Sequence, residues 1–233
     1  MLRSLLLTVL LSISAYLPII ANDSPFTGTV PPVPYGRIAF VGNSLTLTGP
    51  APDRQWYGYW GMAATQPDKD YVHRVQLRLA AHNGYISEIG VYSADFYPAE
   101  NIPIAAGHVT EFAPDVLVVQ MGDNARPDSD YQTFRAAYTL LRNAAPAAKL
   151  IYVGVWQYDD VRNEHIRRIA QEDNATYVHI NDLYLDPANQ ATAQGCTDTH
   201  GVCWHPSDAG MGLIAGRVYS AILGPVRNDY GQQ

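Results

Sequence analysis

The chain has 233 residues, 47% of them hydrophobic, 16% charged and 11% aromatic, which excludes the disordered and fibrous classes and points to a domain held by ordinary apolar burial. Fifteen Lys and Arg against 22 Asp and Glu leave a net charge of −7, so the basic footprint needed to hold nucleic acid is absent. Two cysteines cannot build a disulfide scaffold or a four-cysteine zinc site, so at most one covalent staple supplements the core.

The N-terminus reads as an export signal: Arg3 precedes an uncharged run from Ser4 to Ala21, and polar Asn22-Asp23-Ser24 follows. A retained anchor is the alternative, since 18 residues lie at the short edge of a membrane span, but Ser12, Ser14 and Pro18 interrupt the run. Cleavage after Ala21 removes 21 residues, leaves 212 and, with Arg3 gone, shifts the net charge to −8. The mature protein is then expected to be secreted or periplasmic, without stable membrane insertion. Residues 22–36 form a Pro-rich extended leader, because proline lacks a backbone N–H and pushes the residue before it out of helix. The folded domain is expected over 37–233.

From Arg37 onward, apolar runs alternate with helical patterns. Strands are expected over 37–41, 85–91, 115–121, 149–156 and 176–180, with helices over 70–82, 128–143, 159–174 and 206–223. Pro206 suits a first helical turn, where its missing N–H goes unnoticed. Runs such as LVVQM and LIYVGV are apolar on both faces, which fits a parallel sheet buried between two helix layers. The segment 45–69 has no clear periodicity, and long loops in compact domains are usually functional.

Ligands of open parallel sheets collect beyond the carboxyl ends of the strands. Three turns fall there or just before the last helix: Gly42-Asn43-Ser44-Leu45, Gly122-Asp123-Asn124 and His205-Pro206. Each alone reads as plain turn or capping chemistry. Together they offer a hydroxyl, an amide and an imidazole, which are the nucleophile, oxyanion donor and base of acyl transfer. That chemistry needs no metal and no cofactor.

These blocks, in this order and on these elements, resemble the SGNH (GDSL) hydrolase superfamily, with a GNS variant of the nucleophile block. The resemblance spans Arg37 to Leu223. It implies a three-layer α/β/α sandwich on about five parallel strands, with Ser44 as nucleophile, Asn124 as oxyanion donor and His205 as base. The chain departs from the family pattern at several points. The usual Asp of the first block is Asn43, and Ala125 replaces the final Asp of the third. The acid partner commonly lies three residues before the histidine, where this chain has Val202. Either Asp198 reaches back, or another carboxylate or a backbone carbonyl orients the imidazole. The block that supplies a glycine N–H after the second strand has Gly90 as its nearest candidate.

WYGYWGMAA follows the serine block, and with KDYVH at 69–73 it is similar to a subset of the same superfamily. Trp56 and Trp60 can form a platform for a sugar or another flat ligand, or a satellite core beneath a long loop. Cys196 and Cys203 are expected to pair in an oxidising compartment, bracing the loop ahead of His205. The rival is a metal site with His200 and His205, whose spacing is irregular for structural zinc. Asn22 and Asn174 head glycosylation sequons, relevant in a eukaryotic host.

The leading expectation is a secreted serine esterase acting on small acyl esters, by analogy acetyl groups on a polysaccharide. The alternatives are a non-catalytic glycan-binding module and an O-acyltransferase. Oligomeric state leaves no mark on the sequence.

Overall fold

The computed structural model describes residues 35–157, 159–197 and 201–224. The export signal, nearly all of the leader, Asp198 and His200 therefore lie outside the described residues. Five strands, β1 (Arg37–Gly42), β2 (Glu88–Ser93), β3 (Val116–Gln120), β4 (Lys149–Val153) and β5 (Thr176–Val178), form one sheet in the order β2-β1-β3-β4-β5. Every pairing is parallel.

The central strands are buried on both faces because helices cover both. Ala39, Val41, Leu117, Val119 and Tyr152 point into one apolar cluster, and Ile38, Phe40, Val116, Val118, Ile151 and Val153 into the other. That two-residue alternation with no polar face is the pattern of a parallel sheet inside an α/β/α sandwich. Six α-helices are present among the described residues: α1 (Tyr71–Asn83), α2 (Asn101–Phe112), α3 (Tyr131–Ala144), α4 (Asp160–Glu172), α5 (Asn181–Tyr184) and α6 (Asp208–Leu223). The first cluster takes its helical residues from α2, α3 and α4, and the second from α1, α5 and α6.

Local chemistry sets the helix ends. The side chains of Asp70, Asp130 and Asp159 accept the N–H groups of His73, Thr133 and Arg162 at 2.8, 2.9 and 2.9 Å, capping α1, α3 and α4. Gly84, at φ +78°, closes α1 in the left-handed region that glycine adopts without penalty. At α6 the expectation needs correction. Ser207, not Pro206, begins the helix by accepting Gly210 N–H at 3.2 Å, and Pro206 lies before the cap, bridged to Gln190. Strand β2 also runs later than the sequence suggested, starting at Glu88 and ending at Ser93. Helix α2 was not foreseen, since Pro103 and Gly107 break its pattern; the proline is tolerated because it lies in the first turn.

The strand order carries the functional consequence. The chain leaves β1 for β2 on one side, covered by α1, and later reaches β3 on the other side of β1. This is a topological switch point, and it opens a crevice at the carboxyl ends of β1 and β3. Among the described residues no helix is long and apolar enough to cross a membrane.

Candidate active site

Strand β1 ends at Gly42, where a Cβ would meet Gln120 O at 2.4 Å and Thr46 Oγ1 at 2.2 Å. Only glycine lets β1 and β3 stay this close as the turn begins. Asn43 then builds the turn: its carbonyl accepts the N–H groups of Thr46 and Leu47 at 2.9 and 3.0 Å, and its side-chain Oδ1 accepts Leu45 N–H at 2.9 Å. Ser44 sits at the apex, half-buried, with its carbonyl accepting Met62 N–H at 2.7 Å. No intramolecular acceptor takes the Ser44 N–H among the described residues.

The turn is pinned from below by Asp123. Its carboxylate accepts Asn43 Nδ2 at 2.7 Å, Gln120 Nε2 at 2.8 Å, and the N–H groups of Trp156 and Gln157 at 2.8 and 3.2 Å. Arg162 clamps the same segment through the carbonyls of Asp123 and Ala125 at 2.9 and 2.6 Å. Asn124 is exposed at the crevice and donates through Nδ2 to Asp95 at 2.9 Å. Sequence reasoning named Asp123 only as part of its block and passed over Asp95. An acid in a turn is ordinary, and only the tertiary contacts single these two out.

His205 arrives from the opposite side. Its Nε2 lies 2.7 Å from Ser44 Oγ, while Nδ1 faces the carbonyls of Gly201 and Val202 at 2.9 and 3.0 Å. Carbonyl oxygens only accept, so Nδ1 carries the proton and Nε2 is the bare nitrogen that takes the serine O–H. The side chain of Val202 thus leaves the usual acid position empty, and its main chain supplies an acceptor there. Among the ties that fix this loop, four stand out. Trp156 Nε1 donates to Trp204 O at 2.8 Å, Ala191 N–H to His205 O at 2.9 Å, and Ser207 N–H to Asn189 O at 2.7 Å. The fourth is a Cys196–Cys203 disulfide with the Cα atoms 5.4 Å apart. With the two sulfurs joined, neither is left as a thiolate ligand for the rival metal site.

Ser44, Asn124 and His205 line a cleft of about 700 Å³ with Leu45, Arg54, Trp156 and Trp204. Gly90 is not brought there. It lies inside β2, in register with Ala39, because the strand continues three residues beyond it. The strand's carboxyl end is followed by Ala94 and Asp95, and Ala94 N–H is taken by Gly42 O at 2.8 Å.

Trp56 and Trp60 are also absent from this cleft. They meet edge to face with centroids 5.4 Å apart, in a satellite core with Met62, Ala63, Ala191 and Val202. Their indole N–H groups are satisfied by Thr48 O and Ala64 O. Of the two readings of these tryptophans, the satellite core is the one observed. The aromatic face at the cleft belongs to Trp204, which is 64% exposed. Asp70 ties the aromatic loop to α1 by accepting Gly61 N–H at 3.1 Å as well as capping the helix. This is why WYGYWGMAA and KDYVH form one structural unit. The bond from His73 Nδ1 to Asp70 raises the imidazole pKa above its usual range.

The sequence model of the GDSL-like lipase/acylhydrolase family matches residues 40–213. The chain belongs to this family. Its fold is that of solved GDSL-like structures. A GDSL-like lipase from Parabacteroides merdae superimposes with a TM-score of 0.55 at 16% identity, covering 82% of this chain and 96% of that one. A counterpart from Bacteroides uniformis gives 0.53 at 16% identity over 80% and 94%. A Clostridium thermocellum family 3 carbohydrate esterase gives 0.52 at 17% identity over 84% and 98%. No curated protein sequence matches. Within a family of acyl hydrolases, the GNS departure has a local explanation. Asn43 faces the Asp123 carboxylate, where a second carboxylate would find no donor.

Proposed function

We propose that this GDSL-like hydrolase is an exported serine esterase that removes small acyl groups, most simply acetyl, from carbohydrate. The observation that carries the reading is the 2.7 Å approach of Ser44 Oγ to His205 Nε2 at a cleft walled by Asn124. In this reading His205 takes the Ser44 proton as Oγ attacks the ester carbonyl. The oxyanion is held by Ser44 N–H and the Asn124 amide, the alcohol leaves with the proton from His205, and water repeats the sequence on the acyl-enzyme. The protonated Nδ1 holds the ring in register, and Asp198 remains the side-chain candidate for the third member. The exposed face of Trp204 beside His205 suits a sugar ring. Export is supported by the N-terminal signal pattern and by a disulfide, which persists in oxidising compartments.

The test is acetate release from 4-nitrophenyl acetate and acetylated xylan, with Ser44→Ala as the control. Wild-type turnover well above the control is expected, and equal rates sink the reading.

A further inference from the structure

A primary amide has two ends of nearly equal size, and only the nitrogen end can donate to an oxyanion. Something must therefore decide which end of Asn124 faces the cleft. Resting on the esterase reading above, we propose that Asp95 is the positioning residue of the oxyanion hole, acting through Asn124.

Asp95 lies just beyond β2 and is 5% exposed. Its Oδ1 accepts the N–H groups of Phe96 and Gly122 at 2.7 and 3.0 Å, and its Oδ2 accepts Asn124 N–H at 3.3 Å and Asn124 Nδ2 at 2.9 Å. A carboxylate accepts only, so the amide nitrogen is forced toward it, and the second hydrogen on that nitrogen is left to donate elsewhere. A flipped amide would set its carbonyl oxygen against the carboxylate. The same group holds Gly122, whose φ of +126° starts the turn that carries Asn124. Ala94 N–H on Gly42 O keeps the Asp95 segment against the end of β1. One buried carboxylate thus sets both the backbone and the side chain of the candidate donor.

This arrangement opposes stability. Burial, with the Asp123 carboxylate second, pushes the Asp95 pKa up to about 6. A carboxyl whose pKa is higher folded than unfolded loses native-state stability as pH rises from about 4 to about 6. The ionisable groups facing it are the Asp123 carboxylate from the turn after β3 and the buried Tyr138 hydroxyl from α3. Neither is cationic, and all four donors are neutral N–H groups.

Asp95→Asn is isosteric; its carbonyl stays on the two fixed backbone donors of Phe96 and Gly122, its NH₂ then falls where Asn124 Nδ2 now donates, and Asn124 must present its carbonyl instead. We expect kcat to fall by about 10²–10³-fold, the cost of losing one oxyanion donor, with KM changed less than about twofold. In combination with Asn124→Ala the second change should add nothing. A double variant slower by the product of the two single effects would overturn the proposal, as would an Asp95→Asn enzyme that folds and turns over normally. Should Asp95→Asn fail to fold, the native residue still reports. In a His205→Asn background, the Asn124 side-chain amide resonance, assigned by its loss on adding Asn124→Ala, should titrate with a midpoint near pH 6. A flat trace overturns the pairing. Wild-type turnover no better than Ser44→Ala would instead defeat the esterase reading, and the amide titration then still decides whether Asp95 governs Asn124.

Discussion

Replacing Asn43 by Asp restores the residue that gives the family its GDS signature, and here it should do harm. Asn43 is 2% exposed, and its Nδ2 lies 2.7 Å from Asp123 Oδ2. Asn43→Asp turns that bond into two carboxylates in contact. With both ionised the repulsion is about 6 kcal/mol at an effective dielectric constant of 20. Protonating one carboxyl at pH 7 costs about 4 kcal/mol from a reference pKa of 3.9, so the pair shares a proton and the lower figure sets the penalty. The new carboxyl has a folded pKa above its unfolded value. The penalty is therefore absent below pH 4 and grows as pH rises, reaching about 1.5 kcal/mol at pH 5 and about 4 kcal/mol at pH 7. At about 2–4 °C per kcal/mol for a chain of this size, Tm should drop by roughly 8–16 °C at pH 7 and roughly 3–6 °C at pH 5. Thermal denaturation of wild type and variant at both pH values measures this. An equal loss at both pH values, or none, would refute the pairing of Asn43 with Asp123.

Asn124→Ala should cost about 10²–10³-fold in kcat, about 3–4 kcal/mol of transition-state stabilisation, with little change in Tm, read by steady-state kinetics and a thermal melt. Trp56→Ala should lower stability by about 3–5 kcal/mol in a urea titration and leave KM unchanged; a tenfold rise in KM at unaltered stability would restore the platform reading. Joint Cys196→Ser and Cys203→Ser substitution should cost about 2.5 kcal/mol for a loop of about eight residues, and EDTA should leave the wild-type rate untouched.

The sheet was legible because its central strands are apolar on both faces and short enough, as in LVVQM, to read as strands between turn signals. Ser44, Asn124 and His205 were legible through their placement after strands and before a helix. Gly90 misled because the apolar run from Tyr85 to Val91 hid the true end of β2, which continues through Tyr92 and Ser93. Trp56 and Trp60 looked like a platform because aromatic density in a loop does not say which way the rings face. Among the described residues, the groups facing His205 Nδ1 include two main-chain carbonyls, which have no one-letter code. Asp95 and Asp123 are solitary acids beyond strand ends, and their roles come from which strands the fold sets side by side.

The two halves of the proposed catalytic pair stand on different foundations. Ser44 and Asn124 rise from β1 and β3, two of the three interior strands, whose amides should be the last to exchange with solvent. His205 rides on a loop whose ties among the described residues include one cystine and several hydrogen bonds. The loop is therefore expected to open at lower free energy than the sheet. Reduction of the cystine is expected to lower turnover while the far-ultraviolet spectrum stays native, and reoxidation to restore it; unchanged turnover after reduction would refute this.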